Sequence, residues 1–179
     1  MQEASHNNSH NGQDVIQTLR TAHQNQTQLN LMADQKANIL IGTLVLVFTV
    51  IITRFLSVLD NHPDGLLPLV VFMLMQLVPL TLTVMVLVPR NIHAERPEHI
   101  SQMPNPLFFG MFTRYSEQQY LQHMKHLLTD QEAARRLLIT DIYQMGQVLR
   151  RKYGLLQWAY LSALAGVVIP VVIGLITVL

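Results

Sequence analysis

Apolar residues gather along this chain in three long runs, and the polar stretches between them keep helical spacing. The runs cover 37–59, 66–88 and 155–179. Each approaches or exceeds the roughly 20 apolar residues that let a helix cross a hydrocarbon core. A buried core helix would account for any one of them, but not for three within 179 residues. The pattern predicts an all-α membrane protein with three transmembrane helices.

The polar flanks extend two of these helices. Residues 14–36 hold no proline or glycine, and Ile16, Leu19, Ala22, Leu29 and Ala33 roughly share a face. This predicts a cytoplasmic helix entering the first span without a break. A six-residue external loop, 60–65, joins the first two spans. The region 89–154 begins with a proline-containing irregular stretch and an aromatic cluster, Phe108, Phe109, Phe112 and Tyr115. Ser116 with Gln119 forms a capping box, and the helix it opens carries an apolar face of Tyr120, Leu121, Met124, Leu127 and Leu128. Thr129 with Glu132 reads as a second box. The stripe after it, Leu138, Ile142, Met145, Leu149, Tyr153, Leu156 and Tyr160, passes directly into the third span. The first and third spans thus carry helical cytoplasmic stalks. The opening stretch 1–13 lacks the basic start and apolar core of a signal peptide, and is expected to be a disordered polar tail.

Charge sets the expected orientation. Arg20 and Lys36 precede the first span, the 60–65 loop has Asp60 and Asp64 but no base, and nine Lys or Arg residues fall between the second and third spans. Positive residues stay on the cytoplasmic side, so the N-terminus and the 89–154 region are expected there. A net charge of +1 gives no support for a nucleic-acid partner. The chain is expected to contact the lipid bilayer instead. A cytoplasmic part this small gains from a second copy, so a homo-oligomer is a further expectation.

Polar residues inside the runs need an account, because a charge at bilayer centre costs about 2.5–3.5 kcal/mol on insertion scales. Asp34, Lys36 and Asn38 stand at the mouth of the first span. Lys36 can snorkel to the interface, whereas Asp34 has a short stem and invites a partner such as Arg150, Arg151 or Lys152. Asp34, Asn38, Gly42, Val45, Thr49 and Thr53 share a face of the first span, Gln76 and Thr83 a side of the second. Ala159, Ala163, Gly166, Pro170 and Gly174 form a ridge on the third. Small residues let helices approach and amides bond across, so Gly42, Thr49, Gln76, Gly166 and Gly174 either pack the bundle or line a water-accessible path.

Chemistry is sparse. No cysteine is present, the eight histidines are scattered, and no ligand set with metal spacing occurs. Glu117, Asp130, Glu132 and Asp141 read as surface carboxylates on helices, without an acid–base pair. Neither an enzyme nor a metal site is expected. Arg114, Tyr115, Tyr120, Lys125 and Arg135 could bind a small anionic ligand, Arg by charge-assisted bonds to phosphate and Tyr by stacking on a base. Positive-inside charge with core aromatics is the plainer account of the same residues.

Three stretches carry a resemblance. "MADQKANIL" resembles the D-x-K-A opening of the Pycsar transmembrane effectors. "NPLFFGMFTRYSEQQYLQHM" and "DIYQMGQVLRRKYGLLQWAYL" are similar to two further passages of that family, in order and correctly spaced against the three spans. The matching positions are Asp34, Lys36, Ala37, Phe108, Phe109, Gly110, Glu117, Tyr120, Asp141, Tyr143, Gly146, Lys152 and Tyr153, with Met145 where Leu is usual. The resemblance implies a bacterial antiphage effector of the inner membrane, with a nucleotide cyclase as functional partner. Its activating ligand would be cyclic CMP or cyclic UMP, with no other cofactor. It also implies that Asp34, Lys36 and Asn38 lie where ligand binding would be coupled to the membrane. A membrane scaffold or sensor serving another protein is the alternative, and a transporter a weaker one, since no inverted repeat shows.

Overall fold

A computed structural model describes the backbone over 2–59, 66–88 and 99–178. Side chains are described over 14–54, 66–88, 99–108 and 110–176. The expectations for the 1–13 tail and the 60–65 loop fall outside the residues described in full. Every regular element among the described residues is helical: α1 (Gln2–Leu59), α2 (Leu66–Leu87), a 3-10 turn (Ile100–Gln102), α3 (Phe109–Phe112), α4 (Glu117–Thr129) and α5 (Gln131–Val178). Three of them are long and apolar enough to cross a membrane. The helical extensions expected from the polar flanks are continuous with the first and third spans.

Two compact units divide the chain. One comprises Met1–Leu29 with Arg90–Leu149, the other Asn30–Pro89 with Arg150–Leu179.

The second unit is the three-span bundle, and its contacts form a ladder. Ala33 and Ala37 of α1 pack with Val86 of α2 and Leu156 of α5. Further along, Leu40 and Leu44 pack with Ala159, flanked by Leu80, Leu82 and Ala163. Gly166 then meets Gln76 and Met75, Phe48 stacks on Phe72 with ring centroids 6.2 Å apart, and Gly174 lies beside Pro68. Alanine at the tightest rungs follows from the physics of lipid, where helices gain by close backbone approach rather than by excluding water. The small-residue ridge of the third span therefore points into the bundle. Gly42 and Thr49 do not: nothing described lies within 4 Å of a Cβ placed on Gly42, and Thr49 is exposed.

In the other unit, α4 opens as expected, with the Ser116 hydroxyl and the Gln119 side chain closing a reciprocal capping box. The α4–α5 junction differs from expectation. Thr129 is the last residue of α4 and donates its hydroxyl back to the Lys125 carbonyl at 2.7 Å. Asp130 takes the cap instead, its carboxylate accepting from the Glu132 amide at 3.0 Å. A carboxylate is a stronger acceptor than a hydroxyl beside the positive end of a helix dipole, and Thr129 has a nearer acceptor behind it.

The close helix approach in the bundle is directly testable. Ala37 is fully buried, so Ala37→Leu should overpack the α1–α2–α5 contact and cost about 1–3 kcal/mol. Thermal unfolding in detergent should show a lowered midpoint, while Leu161→Ala, at a half-exposed position, leaves it nearly unchanged.

Candidate functional site

Asp141 overturns its reading as a surface carboxylate. It is 5% exposed, on the α5 face that also buries Leu137. A carboxylate withdrawn from water must be hydrogen bonded, and both oxygens here are. Asn105 donates its amide to Oδ1 at 2.8 Å, and His23 Nε2 of α1 lies 2.9 Å from Oδ2. Asn105 is fully buried, its amide also reaching Gln144 Oε1 at 2.9 Å while its own Oδ1 accepts from the Leu107 amide at 3.0 Å. Next along the chain, the Pro106 carbonyl accepts from the Tyr120 hydroxyl at 3.1 Å, and the Tyr120 ring lies 5.0 Å from that of Phe112. The irregular stretch before α3 is thereby fastened to α5 through Asn105 and to α4 through Pro106. At its far side Gly110 leaves room for Phe108: a Cβ there would stand 2.8 Å from the ring.

Sequence reasoning missed His23 and Asn105. Asn105 stood inside a motif already singled out, and the asparagine followed by proline signalled a side chain free to order a turn. Nothing marked His23, whose partner lies 118 positions away.

The proposed ligand residues are not gathered in one place by these contacts. Tyr120 serves the Pro106 clamp. Arg114 and Lys125 are exposed, Tyr115 half-buried. Arg135 is partly buried, with Nη1 3.9 Å from Glu132 and a sealed Nε that finds no acceptor among the described residues. On α4, burial and the neighbouring His126 together hold the His123 pKa below its ordinary value, burial contributing more.

In the membrane-spanning unit, Asp34 has its partner: Lys152 Nζ lies 2.7 Å from Oδ1, tying α1 to α5. Arg150 and Arg151, the other bases considered for it, are exposed. Lys36 sits over the Tyr153 ring at 5.4 Å from its centroid, and Tyr160 donates to the Lys36 carbonyl at 3.4 Å. Two cationic side chains and two tyrosines therefore form a polar collar where the apolar runs of α1 and α5 begin. Exposed ion pairs contribute at most about 1 kcal/mol, and this one is only partly exposed, so loss of one member leaves the other poorly solvated. Asn38 faces outward.

Deeper in the bundle, Gln76 is 4% exposed, and neither amide atom has a hydrogen-bond partner among the described residues. An unsatisfied polar group in hydrocarbon costs several kcal/mol, so Gln76 is a departure from the packing logic around it.

Two outcomes follow from this geometry. Asn105→Ala removes three hydrogen bonds and uncovers Asp141, and should cost about 2–3 kcal/mol; hydrogen exchange should accelerate over residues 99–108 before it does in the spans. A histidine with a lowered pKa contributes stability above the ordinary value of 6.5 that is lost as pH falls below it. His123→Gln should therefore flatten the fall of the unfolding midpoint as pH drops below 6.5.

Comparison with known proteins agrees with the motifs. The family model described as the Pycsar effector protein domain matches residues 17–179, which takes in both polar clusters and all three spans. Neither the curated proteins nor the solved structures contain a match. With nearly the whole chain covered, this protein belongs to the Pycsar effector family and has its role in the Pycsar antiphage system.

Proposed function

We propose that the protein is a non-enzymatic membrane effector, switched on by a pyrimidine cyclic nucleotide, cCMP or cUMP, which a partner cyclase makes on infection. Once active, it impairs the bacterial inner membrane and ends growth before phage matures. The observation that carries this reading is the presence of three membrane-length apolar helices in a chain of the Pycsar effector family. The distribution of Lys and Arg supports a cytoplasmic N-terminus and 89–154 region, the side on which a cyclase product accumulates.

In this reading the nucleotide is taken up by the cytoplasmic part, with Arg114 and Arg135 for its phosphate, Lys125 nearby, and Tyr115 or Tyr120 against its base. Tyr120 would then add stacking to its clamp on Pro106. Asp34, Lys36 and Asn38 couple binding to the spans. The Asp34–Lys152 pair supports that role, because it joins the two helices that continue from the polar part of the chain into the membrane. A ligand shifts a conformational equilibrium only through contacts that differ between the two states, and an ion pair with one partner on each helix is such a contact.

Membrane potential, followed in cells while cCMP and cUMP are raised separately by induced cyclases, tests the proposal. Depolarisation with one nucleotide, absent in cells lacking the protein, is the expected result. Potential unmoved by either, with insertion verified, would favour a scaffold that serves another protein. Asp34→Asn should insert normally yet change either the response to nucleotide or the basal toxicity, and parental behaviour in both would remove Asp34 from the coupling.

A further inference from the structure

We propose that the bundle binds water at mid-depth, between Gln76, Met75 and Gly166, and that a groove lined by α1 and α5 admits it. The inference rests on the membrane reading of the three helices but not on activation by a nucleotide.

Three polar groups short of a regular partner lie near this level. The first is the Gln76 amide, sealed and without a partner among the described residues. The other two come from prolines. Pro79 inside α2 and Pro170 inside α5 have no N–H, so the carbonyls four residues earlier, at Met75 and Gly166, lose their regular helical donors. Those two residues are neighbours across the bundle. A Cβ built on Gly166 would lie 3.4 Å from Gln76 Nε2 and 3.5 Å from the Met75 Cβ. Gln76 stands about 15 Å from either end of α2, so headgroups are out of reach.

The route is a groove of about 320 Å³ lined by Leu40, Thr43, Tyr160, Ala163 and Gln76, among others. A water takes about 30 Å³ and needs two to four polar partners, so room is ample and the partners decide where it stays. Thr43 has given its proton to the Ile39 carbonyl at 2.9 Å and keeps a lone pair for an incoming donor. The Tyr160 hydroxyl stands nearer the Asp34–Lys152 end, bound to the Lys36 carbonyl. The groove thus offers polar footholds at its mouth and midway, and ends at Gln76. An acyl chain could fill the space but would give no hydrogen bond to the Gln76 amide or to either carbonyl. Water is both donor and acceptor, and the Gln76 amide needs only to turn about its last, broad torsion to meet it. Prolines inside membrane helices are tolerated where ordered water replaces the lost donor.

The chain contains no cysteine, so single cysteines report cleanly. Thr43→Cys lies in the groove; Thr81→Cys, at similar depth on α2, is exposed on the outside and not among the groove residues. A charged, membrane-impermeant methanethiosulfonate is supplied to both faces of vesicles holding the full chain, with Ser101→Cys as the accessible reference. Only a hydrated thiol ionises and reacts, so Thr43→Cys should label at least about tenfold faster than Thr81→Cys. Adding Gln76→Leu to Thr43→Cys should remove that advantage, since the groove then ends on an apolar side chain. Equal, slow labelling at both positions would overturn the proposal by showing a groove closed to water. Fast labelling of Thr43→Cys that survives Gln76→Leu would overturn the part assigned to Gln76. No nucleotide enters the assay, so its failure and the failure of the activation reading are separate results.

Discussion

Hydrocarbon offers no hydrogen bonds, and that constraint orders the whole membrane-spanning unit. Every span is a helix because a helix satisfies its own backbone. Its tightest contacts are made by alanine and glycine because packing, with no hydrophobic drive between helices, depends on close approach. The Asp34–Lys152 ion pair lies where the apolar runs of α1 and α5 begin, and both side chains there stay partly exposed. Around Gln76 and the two proline breaks the unit leaves polar groups short of partners at mid-span, which makes the region chemically distinct from the rungs on either side.

The unit that carries α4 uses a different kind of order. Its buried centre is polar, a carboxylate and an amide from two stretches of chain, met at the edge by a part-exposed imidazole from a third. Such a network specifies one arrangement more sharply than an apolar core of similar size, because each displaced member strands its partners. Asn105 makes the point most plainly: its donors go to Asp141 and Gln144, and its acceptor takes the Leu107 amide, so the loop has a single seat. The motif around Phe108 and Gly110 is thus a fixed structural element.

Much of this architecture could be read from periodicity. The three spans, the continuous stalks and the Ser116 cap are all local patterns, set by residues three or four positions apart. What periodicity could not reach were pairings over long separations. Asp141 looked like a surface carboxylate because its helix has polar neighbours, and nothing local tells a helix which polar residue will meet an asparagine 36 positions away. The α4–α5 junction failed for a smaller reason, since Thr129 and Asp130 are both plausible caps and the choice turned on which had another acceptor or donor at hand. Lys152 was one of three bases near the same depth, and helix phase selected it.

The threonines of the spans have a consequence of another kind. Thr43, Thr49 and Thr53 on α1, and Thr81 and Thr83 on α2, each hand their hydroxyl proton to the carbonyl four residues back. What each shows its surroundings is a methyl group and an oxygen lone pair. These threonine positions are therefore electron-rich and cannot donate without first breaking an intrahelical bond. Such a surface welcomes ammonium, guanidinium, amide N–H and the protons of water, and offers nothing to an anion. A species that lingers against these threonines is sorted by that sign before size or shape is consulted.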